Sequence, residues 1–124
     1  MFAIFMRRHG AGIALALLAA WPGALAAAEL LKGGQIRALV AGNTVQGSME
    51  ATGAYTEFYA ADGTIRGEGY TGNWTVEGDQ MCFQYGSDPK MCWQVAKQGD
   101  QLQWIKDGKV DGSGKLVSGN PNKY

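Results

Sequence analysis

The chain predicts a mainly β fold, a small up-and-down antiparallel meander of about eight strands with one short N-terminal helix. Three observations carry that expectation. From Thr44 onward, apolar side chains recur with a period of two. Turn formers punctuate the chain roughly every 8 to 12 residues, at Gly53, Asp62-Gly63, Gly72, Gly78-Asp79, residues 86–89, Gly99-Asp100 and Asp107-Gly108. The runs between them are rich in Thr, Tyr, Trp, Val and Phe, which suit a pleated, half-buried surface.

The N-terminus reads as a secretory signal peptide over residues 1–28. Arg7, Arg8 and His9 form a basic start, residues 13–21 an apolar core, and Pro22-Gly23 a helix break. Small residues follow, placing cleavage near Ala26 or Ala28. The apolar core is shorter than the about 20 residues a membrane span needs, so no stable span is expected after cleavage. Five residues precede Met6, which is a more ordinary initiator than Met1 ahead of the basic pair. No cysteine lies near the cleavage region for a lipid anchor. The expected location is periplasmic or secreted.

Residues 29–124 then form a single domain of 96 residues. Without Arg7 and Arg8, nine basic side chains face eleven acidic ones, a net charge of −2. The lysines are dispersed and form no stripe for phosphates, which disfavours nucleic acid as a partner. The one histidine, His9, leaves with the leader.

A short helix is expected over residues 29–42, because Ile36, Leu39 and Val40 make one apolar stripe. Gly33-Gly34 precede the stripe, and Gly42 suits a left-handed stop. Eight strands are expected near 43–49, 53–60, 63–70, 72–78, 80–86, 91–97, 101–106 and 109–117. Short connections make sequential neighbours pair. Closure into a barrel removes the edges of such a sheet, and a strongly curved open sheet is the competing form.

The only cysteines, Cys82 and Cys92, fall on neighbouring strands of an exported chain and are expected to form a structural disulfide. Aligning them places Met81 opposite Trp93, Phe83 opposite Met91 and Gln84 opposite Lys90, with a loop over 85–89. Opposed residues in an antiparallel pair approach closely enough for the bond. Met81, Phe83, Tyr85, Met91, Trp93 and Val95 share one face with Trp74, Val76, Leu102 and Trp104. The cysteines lie on the other face, among Gln80, Gln84, Gln94 and Ala96, which puts the disulfide on the outer wall if the apolar stripe lines the interior. Their separation is not that of a redox pair, and two thiolates without histidine fall short of a metal site. No cofactor and no metal are expected.

The remaining motifs carry little chemistry. Gly67-Glu68-Gly69-Tyr70-Thr71-Gly72 has the spacing of a nucleotide loop but runs into a strand, Asn73-Trp74-Thr75-Val76, rather than a helix. Its glycines read as positions for bending or for close packing under an aromatic ring. Ser48, Ser87, Ser113 and Ser118 have no histidine to activate them. Asp107, Asp111 and Ser113 lack the alternating ligands of a calcium loop and read as a solvated turn. Glu57, Glu68 and Glu77 fall on expected strands and read as solvated acids. The aromatics are abundant, and Tyr55, Tyr59, Tyr70, Trp74, Trp93 and Trp104 are the candidate binding surface.

Gly72-x-Trp74-x-Val76-x-Gly78-Asp79, followed by Cys82 and Cys92, resembles a hairpin of small exported proteins of alphaproteobacteria. The Asp62-Gly63-Thr64 turn and the helix ending at Gly42, followed by Thr44, are similar to the same pattern. That family has no assigned reaction, so the resemblance implies export and a β meander and transfers no catalytic residue. The expected function is a non-enzymatic binding or interaction module, with an envelope protein or a small ligand as partner. The alternatives are a carboxylate-dependent envelope enzyme using Glu57, Glu68 or Glu77, and a structural envelope component.

Overall fold

A computed structural model describes residues 27–124. The leader expected over 1–28 lies outside the described residues, apart from Ala27 and Ala28. The elements are β1 (Glu29–Leu30), α1 (Gly33–Val40), β2 (Asn43–Met49), β3 (Gly53–Tyr59), β4 (Thr64–Gly67), β5 (Tyr70–Glu77), β6 (Gln80–Gln84), β7 (Met91–Gln98), β8 (Gln101–Lys106) and β9 (Lys109–Val117). From β2 to β9 each strand pairs antiparallel with the next. β2 also pairs with β9, from Thr44↔Val117 to Met49↔Gly112, and this seam closes an eight-stranded barrel. The closed form of the two expected architectures is the one observed.

The helix is shorter than residues 29–42. Glu29 and Leu30 instead form an extra strand on β7, in the register Glu29↔Lys97 and Leu30↔Ala96. The physical reason is an open edge. β6 begins at Gln80, opposite Gln94, so the last residues of β7 have no β6 partner and leave backbone groups to be paired. Leu31 N–H continues the contact to the Val95 carbonyl at 2.8 Å.

α1 closes one end of the barrel. The Gly33 N–H donates to Asp79 Oδ1 at 2.9 Å, so the β5–β6 turn caps the helix start. Gly33 packs against the Gly78 carbonyl, where a Cβ has no room. At the other end Gly42 takes φ 77° as expected, and the Asn43 side-chain amide donates to the Leu39 carbonyl at 2.8 Å. Ile36 and Val40 are fully buried and Leu39 partly so. They meet Tyr59, Ile65, Trp74, Met81, Val95 and Leu102 from the inner face of the wall. Each such aliphatic burial contributes about 1.5–3 kcal/mol, which offsets the poor intrinsic stability of an eight-residue helix.

The central hairpin has the expected register, with Cys82 opposite Cys92, Met81 opposite Trp93 and Phe83 opposite Met91. Cys82 and Cys92 form the disulfide, with Cα atoms 4.0 Å apart. The Gln84–Lys90 pair does not form, because β7 begins at Met91 and the connection is 85–90 rather than 85–89. Pro89 has no N–H to extend the ladder, and Lys90 turns to pair with Glu77 at 2.8 Å. The disulfide is on the outer face, yet Cys82 is only 1% exposed. The Glu77 carboxylate lies over it, within 4.8 Å of both sulfurs.

Candidate functional site

The connections 50–52, 68–69, 85–90 and 107–108 lie at the barrel end opposite α1. The helix plugs one end, and the other holds a cavity of about 470 Å³. Its wall includes Tyr55, Tyr70, Phe83, Tyr85, Trp93 and Trp104, with Met49 and Met91 toward the rim. Glu57 belongs to the lining and is 5% exposed.

Strand periodicity puts Glu57 there. On β3, residues 55, 57 and 59 project to one side, and Tyr55 and Tyr59 belong to the core and its packed margin. Neighbouring glycines make room for the rings. A Cβ at Gly72 would lie 2.7 Å from the Tyr85 ring, and one at Gly114 2.6 Å from the Tyr55 hydroxyl. Gly67 packs directly against the Tyr70 ring. The glycine-rich motif therefore shapes an aromatic wall across the β4–β5 hairpin, as the close-packing reading expects.

The Tyr85 hydroxyl lies 2.9 Å from Glu57 Oε1 and 2.8 Å from Oε2. The Tyr59 hydroxyl donates to Oε1 at 3.3 Å. Burial pushes the Glu57 carboxyl above its ordinary range, against the opposing hydrogen bonds of Tyr85, Tyr70 and Tyr59. Burial, then the adjacent carboxylate, pushes Tyr70 up to about 12. Burial also raises Tyr55 to about 12, although the Trp104 hydrogen bond opposes it. Tyr85 and Tyr59 are raised well above their ordinary value by burial and by Glu57. The indoles are anchored too. Trp104 Nε1 donates to Tyr55 Oη at 2.7 Å, and Tyr55 Oη donates to the Ser113 carbonyl at 3.1 Å. Trp93 Nε1 donates to Asp111 Oδ2 at 3.1 Å.

Five of the six expected binding residues, Tyr55, Tyr59, Tyr70, Trp93 and Trp104, line this cavity. Trp74 does not. It packs in the half closed by α1, where its indole donates to the Ala60 carbonyl at 2.9 Å and Arg37 sits 5.5 Å above the ring. Of the three acids expected to be solvated on strands, Glu77 is so, Glu68 is solvated but off the strand, and Glu57 is corrected. Glu57 is buried on the inner face. Glu68 lies in the β4–β5 turn, outside any strand, and is exposed. Glu77 is exposed and paired with Lys90, whose hydrogen bond holds its carboxyl below the ordinary range. Tyr85 and Phe83 complete the site, and their alternation with Met81 was the available signal.

No metal centre emerges from the thiols. Glu77, Cys82 and Cys92 cluster, but both sulfurs are tied in the disulfide. The Asp107, Asp111 and Ser113 trio is spread along the β8–β9 hairpin, with Asp111 committed to Trp93 and the Ser113 carbonyl to Tyr55. Among the described residues, no helix is long and apolar enough to cross a membrane. Comparison of the chain with protein-family models, curated proteins and solved structures yields no match.

Proposed function

We propose that this protein is an exported, non-enzymatic binding module that takes a small ligand into the open mouth of its barrel. The observation that carries the reading is the cavity of about 470 Å³, walled by aromatic rings with few polar groups at defined positions. That size and lining suit a small-molecule site. The disulfide fits an oxidising compartment. A fragment screen followed by the indole N–H resonances tests it. Ligands are expected to shift Trp93 and Trp104 and to leave Trp74 unmoved. A screen in which no fragment moves Trp93 or Trp104 overturns the reading.

One observation favours a second reading, a carboxylate-dependent enzyme. Glu57 is a buried acid with a raised pKa in a cleft, as a general acid requires. The paired-carboxylate mechanisms need a second acid across the scissile bond, and the other acid of the lining is Asp88, in the 85–90 connection. Turnover of a ligand found in the screen, abolished in Glu57→Gln, establishes this reading in place of the first.

A further inference from the structure

We infer that the ligand of the barrel mouth is an organic cation, an ammonium head carried on an apolar body. This rests on the reading of the mouth as a small-molecule site and adds the chemistry of what enters it.

Three observations converge. The first is charge. The lining contains two carboxylates, Glu57 and Asp88, and no lysine or arginine. The chain has no histidine beyond His9 that could supply a positive charge there. The second is a missing counter-charge. Among the described residues, the ion pairs join Lys90 to Glu77, Lys109 to Glu50 and Lys115 to Asp100, all on the surface. Glu57 receives only neutral tyrosine hydroxyls. A buried carboxylate is costly unless paired, and this one faces a cavity open to solvent.

The third is the ring arrangement. Tyr70 and Tyr85 meet at 62°, Phe83 and Trp93 at 71°, and Phe83 and Trp104 at 89°. Rings set edge to face build corners rather than a flat stack, which gives a boxed, electron-rich wall. Lys106 Nζ, 5.4 Å over the Trp93 ring, already makes one such contact, which leaves Tyr70, Tyr85, Phe83 and Trp104 for the ligand. Aromatic boxes attract ammonium groups through the ring quadrupole, most strongly when water is excluded. Glu57 releases its retained proton to solvent as the cation enters and then provides the charge at the floor, and the methionines at the rim accommodate an aliphatic body.

Choline and its neutral carbon isostere, 3,3-dimethylbutan-1-ol, test this on the disulfide-bonded protein without leader. The two share shape and differ in charge. Calorimetry and the Trp93 and Trp104 indole shifts are read together. Choline is expected to bind at least about tenfold more tightly than the isostere. In Glu57→Gln the preference for choline should shrink by at least about threefold, the remainder being the contribution of the rings, with isostere binding retained. Equal affinities in the wild-type protein overturn the cation assignment while leaving the small-molecule reading intact. Binding of neither probe, in a protein whose mouth does take fragments, also overturns the assignment. If no fragment binds at the mouth, the underlying reading fails with it. The wild-type comparison stands even if the variant does not fold.

Discussion

The Tyr85 hydroxyl sits within hydrogen-bond distance of both oxygens of Glu57, at 2.9 and 2.8 Å, across 28 residues of chain. This contact couples β3 to the first residue after β6 through the barrel interior and fixes the polar floor of a largely aromatic cavity. A glutamate at an inward strand position breaks the binary pattern that builds the rest of the core. Such local violations concentrate at functional sites, where specificity is gained at a cost in stability.

The cost of Glu57 is expected to appear as pH-dependent stability. Its carboxyl titrates above the ordinary value of 4.5 in the folded state. The folded protein therefore holds a proton that the unfolded chain has released. Its contribution to stability is fully present below 4.5 and is lost as pH rises through the raised value. Relative to Glu57→Gln, the wild-type Tm should fall as pH rises above 4.5 and level off once the raised value is passed. A loss of 1 kcal/mol lowers Tm by about 4–8 °C in a domain of this size. Parallel Tm profiles for the two proteins would show that Glu57 is not held in the buried, proton-retaining environment described here.

The tyrosines around it give a second titration, readable without mutation. Tyr55 and Tyr70 are raised to about 12, and Tyr59 and Tyr85 are raised as well. The phenolate absorbance at 295 nm should therefore remain far below that of five free tyrosines as pH passes 10 in the folded protein. Because these folded pKa values exceed the unfolded ones, stability falls as pH rises from 10 toward 12, and the absorbance should step up as the barrel opens. A smooth rise of four or five tyrosines centred near 10, with the protein still folded, contradicts the buried cluster.

Much of the barrel was legible because its signals are local. Turn glycines and alternating side chains locate most of β2 to β9, and two cysteines set the register of β6 and β7. The exception is the turn expected at Gly72, which forms instead at 68–69, where Gly69 takes φ 79°, and leaves Gly72 inside β5 opposite Ile65. β1 was hidden because its two residues, Glu29 and Leu30, pair only because β6 stops short on the neighbouring edge. No property of Glu29-Leu30 itself encodes that. The site was half legible. The aromatic positions could be named, but Trp74 and Trp93 fall on one inner face at different depths, and periodicity reports face without depth. Glu57 was misread for a different reason. Composition ranks an isolated glutamate as solvated, whereas the run Tyr55-x-Glu57-x-Tyr59 assigns it to the tyrosine face. The alternation was the better guide.

Gly72 should prove intolerant of even one methyl group. Its φ is ordinary, so the constraint is space: an added Cβ lies 2.7 Å from the Tyr85 ring and 2.9 Å from the Gln84 carbonyl. Gly72→Ala is expected to cost about 1–3 kcal/mol through overpacking and to displace Tyr85 from Glu57. The same substitution in a Tyr85→Ala background should cost less, since the ring it strikes is gone and only the Gln84 carbonyl contact remains. Equal losses in both backgrounds would place the clash on the backbone carbonyl rather than on the ring, and Gly72 would then have no part in positioning Tyr85.

The disulfide provides the last test, because its contribution should be to stability alone. Cys82 and Cys92 are separated by 10 positions, and closing so short a loop contributes about 2.8 kcal/mol in the chain-entropy description. A domain of this size has only about 5–15 kcal/mol in total. Replacing both cysteines by alanine, or reducing the bond with dithiothreitol, should therefore lower Tm by about 10–20 °C. The sulfurs lie on the outer face while the cavity is walled by the inner one, so ligand affinity at the mouth should not change at temperatures where the barrel remains folded. A Tm shift below about 3 °C would mean that strand pairing already holds the hairpin in the unlinked chain. A loss of affinity without loss of fold would show instead that the Glu77-covered outer wall is mechanically coupled to Met91 and Trp93 across the same strand.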